Sequence, residues 1–358
     1  MKKGTKFKHL TWHDRLLIEK LVNKGYHKAE IADIIGCSLK TIYNELKRAE
    51  YEHTRYDWST ETRYSPDIAH ERYRNNLKKK GAVPKLKKDM KLCNYIEELL
   101  VKLKYSPEAI ILYMKQQGIN FDVNISSVNT IYSGIRKGYF KKVTMELLPR
   151  KGRRTQRKKR VKIQKQASKG KSIEKRSEGI NKREFFGHWE MDCVVGKVTN
   201  NKTLLVMTER KTRYEIIEQL KTHTTYEVIK ALNRLEKKFG SDFYKIFKSI
   251  TVDNGSEFKD NHGMEKALYK KSARTEIYYC HAHAPHERGS NENQNILIRR
   301  FYPKGSDFDE TITRNNIKDV EFWVNTYPRR MFKGKCSMDY FIDEVDNLGC
   351  KQNLIELT

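Results

Sequence analysis

Apolar residues in the first fifty positions recur at the spacing of short helices. In the first stretch Thr11 is placed to cap the helix, with Asp14 three residues on. The second stretch, KAEIADII, ends at Gly36, a residue that favours the left-handed conformation at a helix end. Ser38 then begins a third stretch, SLKTIYNELKRAE, whose predicted inward side consists of Leu39, Ile42, Tyr43 and Leu46.

Three short helices with a glycine turn before the last are typical of a helix-turn-helix, predicted here over residues 1–50. In that motif the last helix enters the major groove and contacts the flanking phosphates. The residues assigned to DNA contact are Ser38, Lys40, Thr41, Asn44, Lys47 and Arg48. An ordinary three-helix bundle with a solvated polar face is the alternative.

Two later stretches, YSPDIA and YSPEAI, share a helix-start signal: serine as the cap, proline at the first helical position and an acid in the first turn. We expect a helical connector over residues 51–92. The second stretch continues to Gly118, and SVNTIYSGIRKG follows. This pattern indicates a second helix-turn-helix-like DNA-binding domain over residues 93–146, with a plain helical hairpin as the alternative.

The stretch between Leu147 and Ile173 holds twelve lysines or arginines and no acid. Such a block is usually a solvated, poorly ordered linker. Because it separates two differently patterned halves, we predict a basic linker over residues 147–180 that follows DNA phosphates. Its assigned DNA-contact residues are Arg153, Arg154, Lys158 and Arg160.

The residues beyond Phe185 change to a pattern rich in β-branched and aromatic side chains. FFGHWEMDCVVGK, KTLLVMTERKTRYEIIEQL, FKSITVDNGSEF and TEIYYCHAH are β-rich, and TTYEVIKALNRLEKKFG is an amphipathic helix. We predict a mixed α/β domain over residues 181–345 and a tail over 346–358. The expected fold class is therefore multidomain, with an all-α helix-turn-helix region followed by an α/β domain.

The net charge of +28 narrows the class of partner. A surplus this large favours a polyanion, bound through neutralised phosphates and released counterions. No apolar run is long enough for a membrane span, and the N-terminus has no apolar signal-peptide segment. The six cysteines form no CxxC pair and are expected to be reduced thiols in a cytoplasm. Cys280, His281, His283 and His286 lack a second ligand pair at zinc-finger spacing, which disfavours structural zinc.

Three acids depart from the usual alternation with lysines. Asp192 lies within an apolar strand, Asp253 ends another strand before Asn-Gly, and Glu292 begins a helix in HERGSNENQNILIRR. A carboxylate in or at the end of an apolar strand is costly unless it binds a metal ion or is hydrogen-bonded. Taken alone, however, each of the three acids is more often an ordinary turn or cap residue. Together they suit two Mg²⁺ ions about 3.5–4 Å apart, which phosphoryl transfer uses on the attacking and leaving oxygens.

The segments GHWEMD, VDNGSEF and HERGSNENQNILIRRFYPKG resemble the catalytic blocks of IS-thirty family transposases of bacterial insertion sequences. The resemblance covers nearly the whole chain, since IADIIGCSLKTIYNELKR is similar to that family's helix-turn-helix. It implies an RNase H-like integrase core with D-D-E chemistry. Asp192, Asp253 and Glu292 would be both the catalytic residues and the ligands of two Mg²⁺ ions, with Mn²⁺ as a substitute. The neighbours assigned to supporting or DNA-contact roles are His188, Trp189, Asn254, Arg288 and Asn291, with core packing as the alternative for His188.

The resemblance also implies the reaction. A first cut next to the terminal inverted repeat would free a 3′-hydroxyl, which would attack target DNA by transesterification. Two departures from the family pattern are extra polar residues at Asn261 to Thr275, and Cys336-Ser337-Met338 where Thr-Pro is common.

Two other functions compete with a transposase. A silent DNA-binding regulator would have no need to keep all three acids, and a standalone nuclease leaves the N-terminal helices unexplained. The expected partners are double-stranded DNA, as terminal repeats and target, and a second copy of the chain in a dimer or higher oligomer. We expect the protein at the bacterial nucleoid in the cytoplasm, without a membrane partner.

Overall fold

The computed structural model describes residues 9–148, 170–281 and 285–350. The chain forms two compact units that divide between Val83 and Pro84. The expected basic linker lies mostly outside the described residues, and so do Arg153, Arg154, Lys158 and Arg160.

The first unit holds the three expected helices, followed by a hairpin and a fourth helix. Its elements are α1 (Trp12–Asn23), α2 (Lys28–Ile35), α3 (Leu39–Arg48), β1 (Glu50–Thr54), β2 (Thr60–Tyr64) and α4 (Pro66–Lys79). The predicted caps are confirmed: Thr11 and Asp14 form a capping box, Gly36 ends α2 at φ 74°, and the Ser38 hydroxyl accepts from Thr41 N.

The inward side of α3 differs from the prediction. Ile42 is fully buried, but Leu39 is 43% and Tyr43 51% exposed. Glu45 is buried instead, because it forms an ion pair with the buried Arg15 of α1. The buried side of α3 therefore includes a charged residue, Glu45, where the hydrophobic pattern predicts only apolar side chains.

The residues between α3 and α4 form an antiparallel hairpin where a helical connector was expected. Tyr64 at the end of β2 and Ala69 of α4 are buried in the same small core as Ile18 and Ile42. The hairpin and α4 therefore complete the N-terminal unit.

The second unit is built around a six-stranded mixed sheet. The strands are β3 (Lys171–Ser172), β4 (His188–Val195), β5 (Thr203–Glu209), β6 (Glu215–Leu220), β7 (Ser249–Val252) and β8 (Glu276–Tyr279). Their order is β3-β8-β7-β4-β5-β6. β4, β5 and β6 are antiparallel neighbours, whereas β7 is parallel to both β4 and β8. The stretches predicted to be β-rich contain β4 to β8, whereas β3 lies in residues that were assigned to the basic linker.

Helices precede, cover and follow this sheet. They are α5 (Lys85–Lys88), α6 (Met90–Val101), α7 (Pro107–Gln116), α8 (Val128–Arg136), α9 (Glu178–Lys182), α10 (Thr225–Phe239), α11 (Phe243–Ile246), α12 (Asn261–Glu265), α13 (Gly289–Ile298), α14 (Phe308–Thr311), α15 (Arg314–Thr326) and α16 (Ser337–Asn347). The expected fold class is confirmed: a helix-turn-helix region precedes a mixed α/β domain, although the mainly helical N-terminal unit also contains the β1–β2 hairpin.

The two faces of the sheet have separate cores. Alternate residues of β4, such as Trp189 and Met191, pack with α10 and α16 on one face. Val194 belongs to the other face, whose core includes residues of α13 and α15. The helices α5 to α8 add their apolar sides to this second core, with Ile96 and Ile110 fully buried there. Residues 84–148 therefore pack on the α/β core instead of forming a separate unit.

Both departures from the family pattern have ordered structure. The extra segment includes α12, and its Arg274 forms a fully buried ion pair with Glu236 of α10. Cys336 caps α16, where its backbone N–H donates to Asp339 Oδ2 at 2.9 Å. The turn before α16 thus forms without Thr-Pro.

Two bulk features of the described structure concern the cysteines and the lengths of the helices. The six cysteines are all free thiols. Within the described ranges, no helix combines the length and apolar character needed to cross a bilayer.

Candidate active site

Asp192 and Asp253 are brought together by parallel strand pairing. β4 pairs with β7 in the register His188↔Ser249 to Glu190↔Thr251. Continued for two more residues, this register sets Asp192 level with Asp253, which follows directly after β7. Both carboxylates are partly exposed, at 22% and 38% of the side chain.

One guanidinium joins the two carboxylates. Arg288 Nη1 lies 3.0 Å from Asp192 Oδ1, and its Nη2 donates to Asp253 Oδ2 at 2.8 Å. Burial lowers the pKa of Arg288, but the two carboxylates outweigh burial and the net shift is upward. Two strand-end acids therefore face a single cation.

The other oxygen of each carboxylate also accepts a hydrogen bond. Asn295 Nδ2 of α13 donates to Asp192 Oδ2 at 3.0 Å, and the Gly255 N–H donates to Asp253 Oδ1 at 2.9 Å. A carboxylate held by fixed donors loses less rotational freedom when it binds a cation.

Glu292 lies on the exposed side of α13, in its first turn. It lines, together with Asp192 and Asn295, a cleft of about 640 Å³ between α13 and the helical part of the second unit. The cations on the walls of this cleft are Lys104, Arg299, Arg300 and Lys304. Positive side chains beside acids suit a substrate that carries negative charge and needs a cation at one point.

The position of α13 is fixed by buried polar groups that the sequence analysis did not single out. Glu190, two residues before Asp192 on the same face of β4, is fully buried and forms an ion pair with Arg210. Its other oxygen accepts from the Asn291 backbone N–H at 2.9 Å, and Thr208 Oγ1 donates to the Asn291 side chain at 3.1 Å. The period of two along Trp-Glu-Met-Asp was the available signal for Glu190.

A second set of contacts holds the far side of α13. Arg213, in the turn after β5, donates to the Ser290 hydroxyl, and its carbonyl accepts from Gln294. Arg329 donates to Gln294 Oε1 at 3.0 Å. Arg213 and Arg329 could not be singled out from the sequence, because the chain contains many other arginines.

Two family models match this chain. A helix-turn-helix domain matches residues 6–49, and an integrase core domain matches residues 183–285. The integrase match includes Asp192 and Asp253 and ends before Glu292.

Two of the relatives described below match most of this chain, and a third matches about half of it. The probable transposase for insertion-like sequence element IS1161 of Streptococcus salivarius is 30% identical over 91% of this chain and 92% of its own. The chain belongs to the IS-thirty family of insertion-sequence transposases. A transposase of element IS4351 from Bacteroides fragilis is 28% identical over 90% and 92% of the two chains. Transposase InsI of element IS30A from Escherichia coli is 34% identical over 46% and 40%. Membership supports a DNA-binding enzyme that cuts and joins DNA, and integrase cores are typically metal-dependent.

The other predicted neighbours in this transposase lie at different distances from the acids. Trp189 points to the opposite face of β4, where it stacks on Phe247 and donates to Ile246 O at 2.8 Å. Asn254 Nδ2 donates to Cys280 O at 2.9 Å and so ties the end of β7 to β8. Of these neighbours, Arg288 alone contacts both aspartates.

His188 begins β4 and bonds Ser249 Oγ at 2.7 Å. Burial lowers its pKa to about 4, and nearby Lys248, Arg210 and Arg176 act in the same direction.

The pKa of histidine in an unfolded chain is about 6.5. Between this pH and about 4, His188 is therefore protonated in the unfolded chain but neutral in the folded chain. Stability should therefore fall as pH falls from about 6.5 towards about 4. We expect the Tm of the wild type to drop more between about pH 7 and about pH 5 than that of His188→Gln, as measured by calorimetry. Equal drops in the two proteins would contradict this origin.

The residues assigned to DNA contact on α3 are partly available. Lys40, Asn44 and Lys47 are exposed and Thr41 is half-buried. Ser38 is exposed and caps the helix, while Arg48 forms an ion pair with Glu45.

The Cys280–His286 stretch is occupied by other contacts where it is described. His281 Nδ1 lies 2.7 Å from Glu287 Oε1, and its Nε2 lies 3.2 Å from Glu174 Oε1. His283 and the side chain of His286 lie outside the described residues.

Proposed function

We propose that this transposase binds the terminal inverted repeats of its element, cleaves next to them and joins the 3′-hydroxyl ends to target DNA by metal-dependent transesterification. Asp192, Asp253 and Glu292 would be the D-D-E residues. One observation carries the proposal: two acids from neighbouring parallel strands share one cation, and the third lines the cleft of the first.

The donor set fits divalent metal. The guanidinium of Arg288 is a stand-in cation, and it is bonded by carboxylate oxygens, the hard ligands that Mg²⁺ prefers. Asp192, Asp253 and Glu292 would hold two Mg²⁺ ions, with Mn²⁺ as a substitute. When bound, the ions would stabilise charge on the attacking and leaving oxygens of the phosphodiester.

The side chains around the acids would position the DNA strand. Arg299, Arg300 and Lys304 at the end of α13 line the cleft and would hold backbone phosphates beside Asp192 and Glu292. Arg288 would balance the charge of the two aspartates until the metal binds, and would then be free to face the substrate. Asn295 would keep Asp192 oriented through both the cleavage and the joining step.

The helix-turn-helix would supply recognition of the DNA ends. The exposed Lys40 and Lys47 of α3 would contact phosphates, and Asn44 between them would face base edges. Because the two ends of an element must be joined in one event, we also propose that the active form is at least a dimer. Its DNA substrate would place it at the bacterial nucleoid.

Removal of one phosphate contact should change the salt dependence of end binding. We expect Lys40→Ala and Lys47→Ala each to reduce the slope of log Kobs against log salt by about 1, because each phosphate contact releases about one counterion. Fluorescence anisotropy at several salt concentrations measures the slope. Lys20→Ala, an exposed lysine of α1, is the control. An unchanged slope in both α3 variants would contradict the assigned orientation of α3.

The decisive experiment uses a labelled fragment that carries the element's terminal repeat and its flank. The protein is incubated with Mg²⁺, Mn²⁺ or a chelator, and an unlabelled plasmid serves as target. We expect metal-dependent nicking at the repeat boundary, a free 3′-hydroxyl and joining to the plasmid. Binding without cleavage in either metal would favour the silent regulator. Cleavage without joining would favour the nuclease.

A further inference from the structure

A cysteine, a histidine and a glutamate from three distant parts of the sequence meet beside the aspartate pair. Cys193 follows Asp192 on β4, Glu257 lies in the turn after Asp253, and His223 precedes the cap of α10. Their possible ligand atoms all lie within 4.8 Å of one another.

The geometry of this cluster is close to that of a bound ion. His223 Nε2 lies 3.0 Å from Glu257 Oε1. A tetrahedral zinc ion with bonds of about 2.0–2.3 Å keeps its ligand atoms on the order of 3.3–3.8 Å apart. Shifts of under about 1 Å, within the reach of side-chain rotation, would therefore bring the three atoms into one coordination sphere.

The environment of these three side chains suits a bound cation. The Glu257 side chain is only 10% exposed, and its carboxylate lies against Gly255, where a side chain would collide with it. Asp192 and Asp253 add negative charge to the neighbourhood of the Cys193 thiol. His223 is 39% exposed, so solvent can reach the cluster and provide a fourth ligand.

We propose that Cys193, His223 and Glu257 form a binding site for a zinc-class divalent ion, separate from the oxygen-only site of the three acids. Sulfur and imidazole ligands select borderline-soft ions such as Zn²⁺ and Co²⁺ over Mg²⁺. The ion would link the end of β4, the turn after β7 and the loop before α10. It would thus join the two segments that carry Asp192 and Asp253.

Cobalt provides a test that does not depend on DNA cleavage. The metal-free full-length protein is titrated with Co²⁺ in excess Mg²⁺, and the near-ultraviolet thiolate-to-cobalt charge-transfer band is recorded. We expect a band that saturates at one equivalent and is displaced by Zn²⁺. The carboxylates of the proposed catalytic site cannot produce this band, since they contain no sulfur.

The variants assign the band to its residues. We expect Cys193→Ser to abolish it and His223→Asn to weaken Co²⁺ affinity at least about tenfold, since even residues outside the coordination sphere change metal affinity about 10- to 100-fold. His223 is exposed, so its substitution should leave folding intact. Cys37→Ser, in the N-terminal unit, is the control and should retain the band.

Three results would overturn the site: no saturable band in the wild type, a band that survives in Cys193→Ser, or an unchanged Co²⁺ affinity in His223→Asn. Loss of strand cleavage with the band intact would instead count against the proposed function alone. The two failures are therefore distinguishable.

Discussion

Glu292→Gln is expected to bind end DNA as tightly as the wild type while losing cleavage and joining by about 10²- to 10³-fold or more. The substitution keeps the size and hydrogen-bonding capacity of the side chain but removes the charge needed to hold a divalent ion. Glu292 is exposed on α13, so its amide should not disturb packing. Gel-shift binding and product formation from the same labelled end fragment measure the two effects separately.

The matched control is Glu310→Gln, the same change at an exposed glutamate of α14. It should cleave and join normally. Weaker binding by Glu292→Gln, in proportion to its lost cleavage, would show that Glu292 acts in DNA binding instead. Full cleavage by Glu292→Gln would remove it from the catalytic set.

The parts of this fold that local chemistry dictates could be predicted from the sequence. Thr11, Gly36 and Ser38 begin or end helices because their side chains or backbone conformations satisfy helix ends, and this requires no knowledge of the rest of the chain. The strands likewise follow from runs of β-branched and aromatic residues. Asp192 and Asp253 stood out because apolar strands rarely carry an unpaired carboxylate, and Glu292 stood out as the lone acid at the start of a helix in a basic stretch.

What depends on distant partners could not be predicted in the same way. Glu45 is buried because Arg15 lies thirty residues earlier in the chain, and nothing local to α3 indicates that pairing. The apolar stripes of α6 and α7 predict helices with a buried side, but not that α13 and α15 cover it. The Cys193–His223–Glu257 cluster could not be predicted from a sequence motif, because its members lie far apart in the chain and only the fold brings them together.

Positively charged side chains are arranged differently around the cleft and at the aspartate pair. Cations line the cleft around Asp192 and Glu292, while one arginine lies on the aspartate pair itself. A polyanionic substrate is attracted by the first arrangement. The arginine on the aspartate pair, Arg288, offsets the mutual repulsion of the two carboxylates. The folded protein can therefore hold both charges close together before any divalent ion binds.

Glu190→Gln is expected to lower the free energy of unfolding of the second unit by about 3–5 kcal/mol, because it leaves Arg210 buried without its counter-charge. Arg210 is 3% exposed and burial already lowers its pKa, so water cannot replace the lost carboxylate. Urea denaturation followed by circular dichroism gives the change.

Two comparisons isolate the charge pair. Glu218→Gln removes the acid of a more exposed ion pair, formed by Glu218 of β6 and Arg234 of α10, and should cost no more than about 1 kcal/mol. The double variant Glu190→Gln with Arg210→Met should be more stable than Glu190→Gln alone, since it removes the stranded cation. If Glu190→Gln were no more harmful than Glu218→Gln, the pair would not hold the start of α13. Glu292 would then owe its position to the contacts of Gln294 and Ser290 with Arg213.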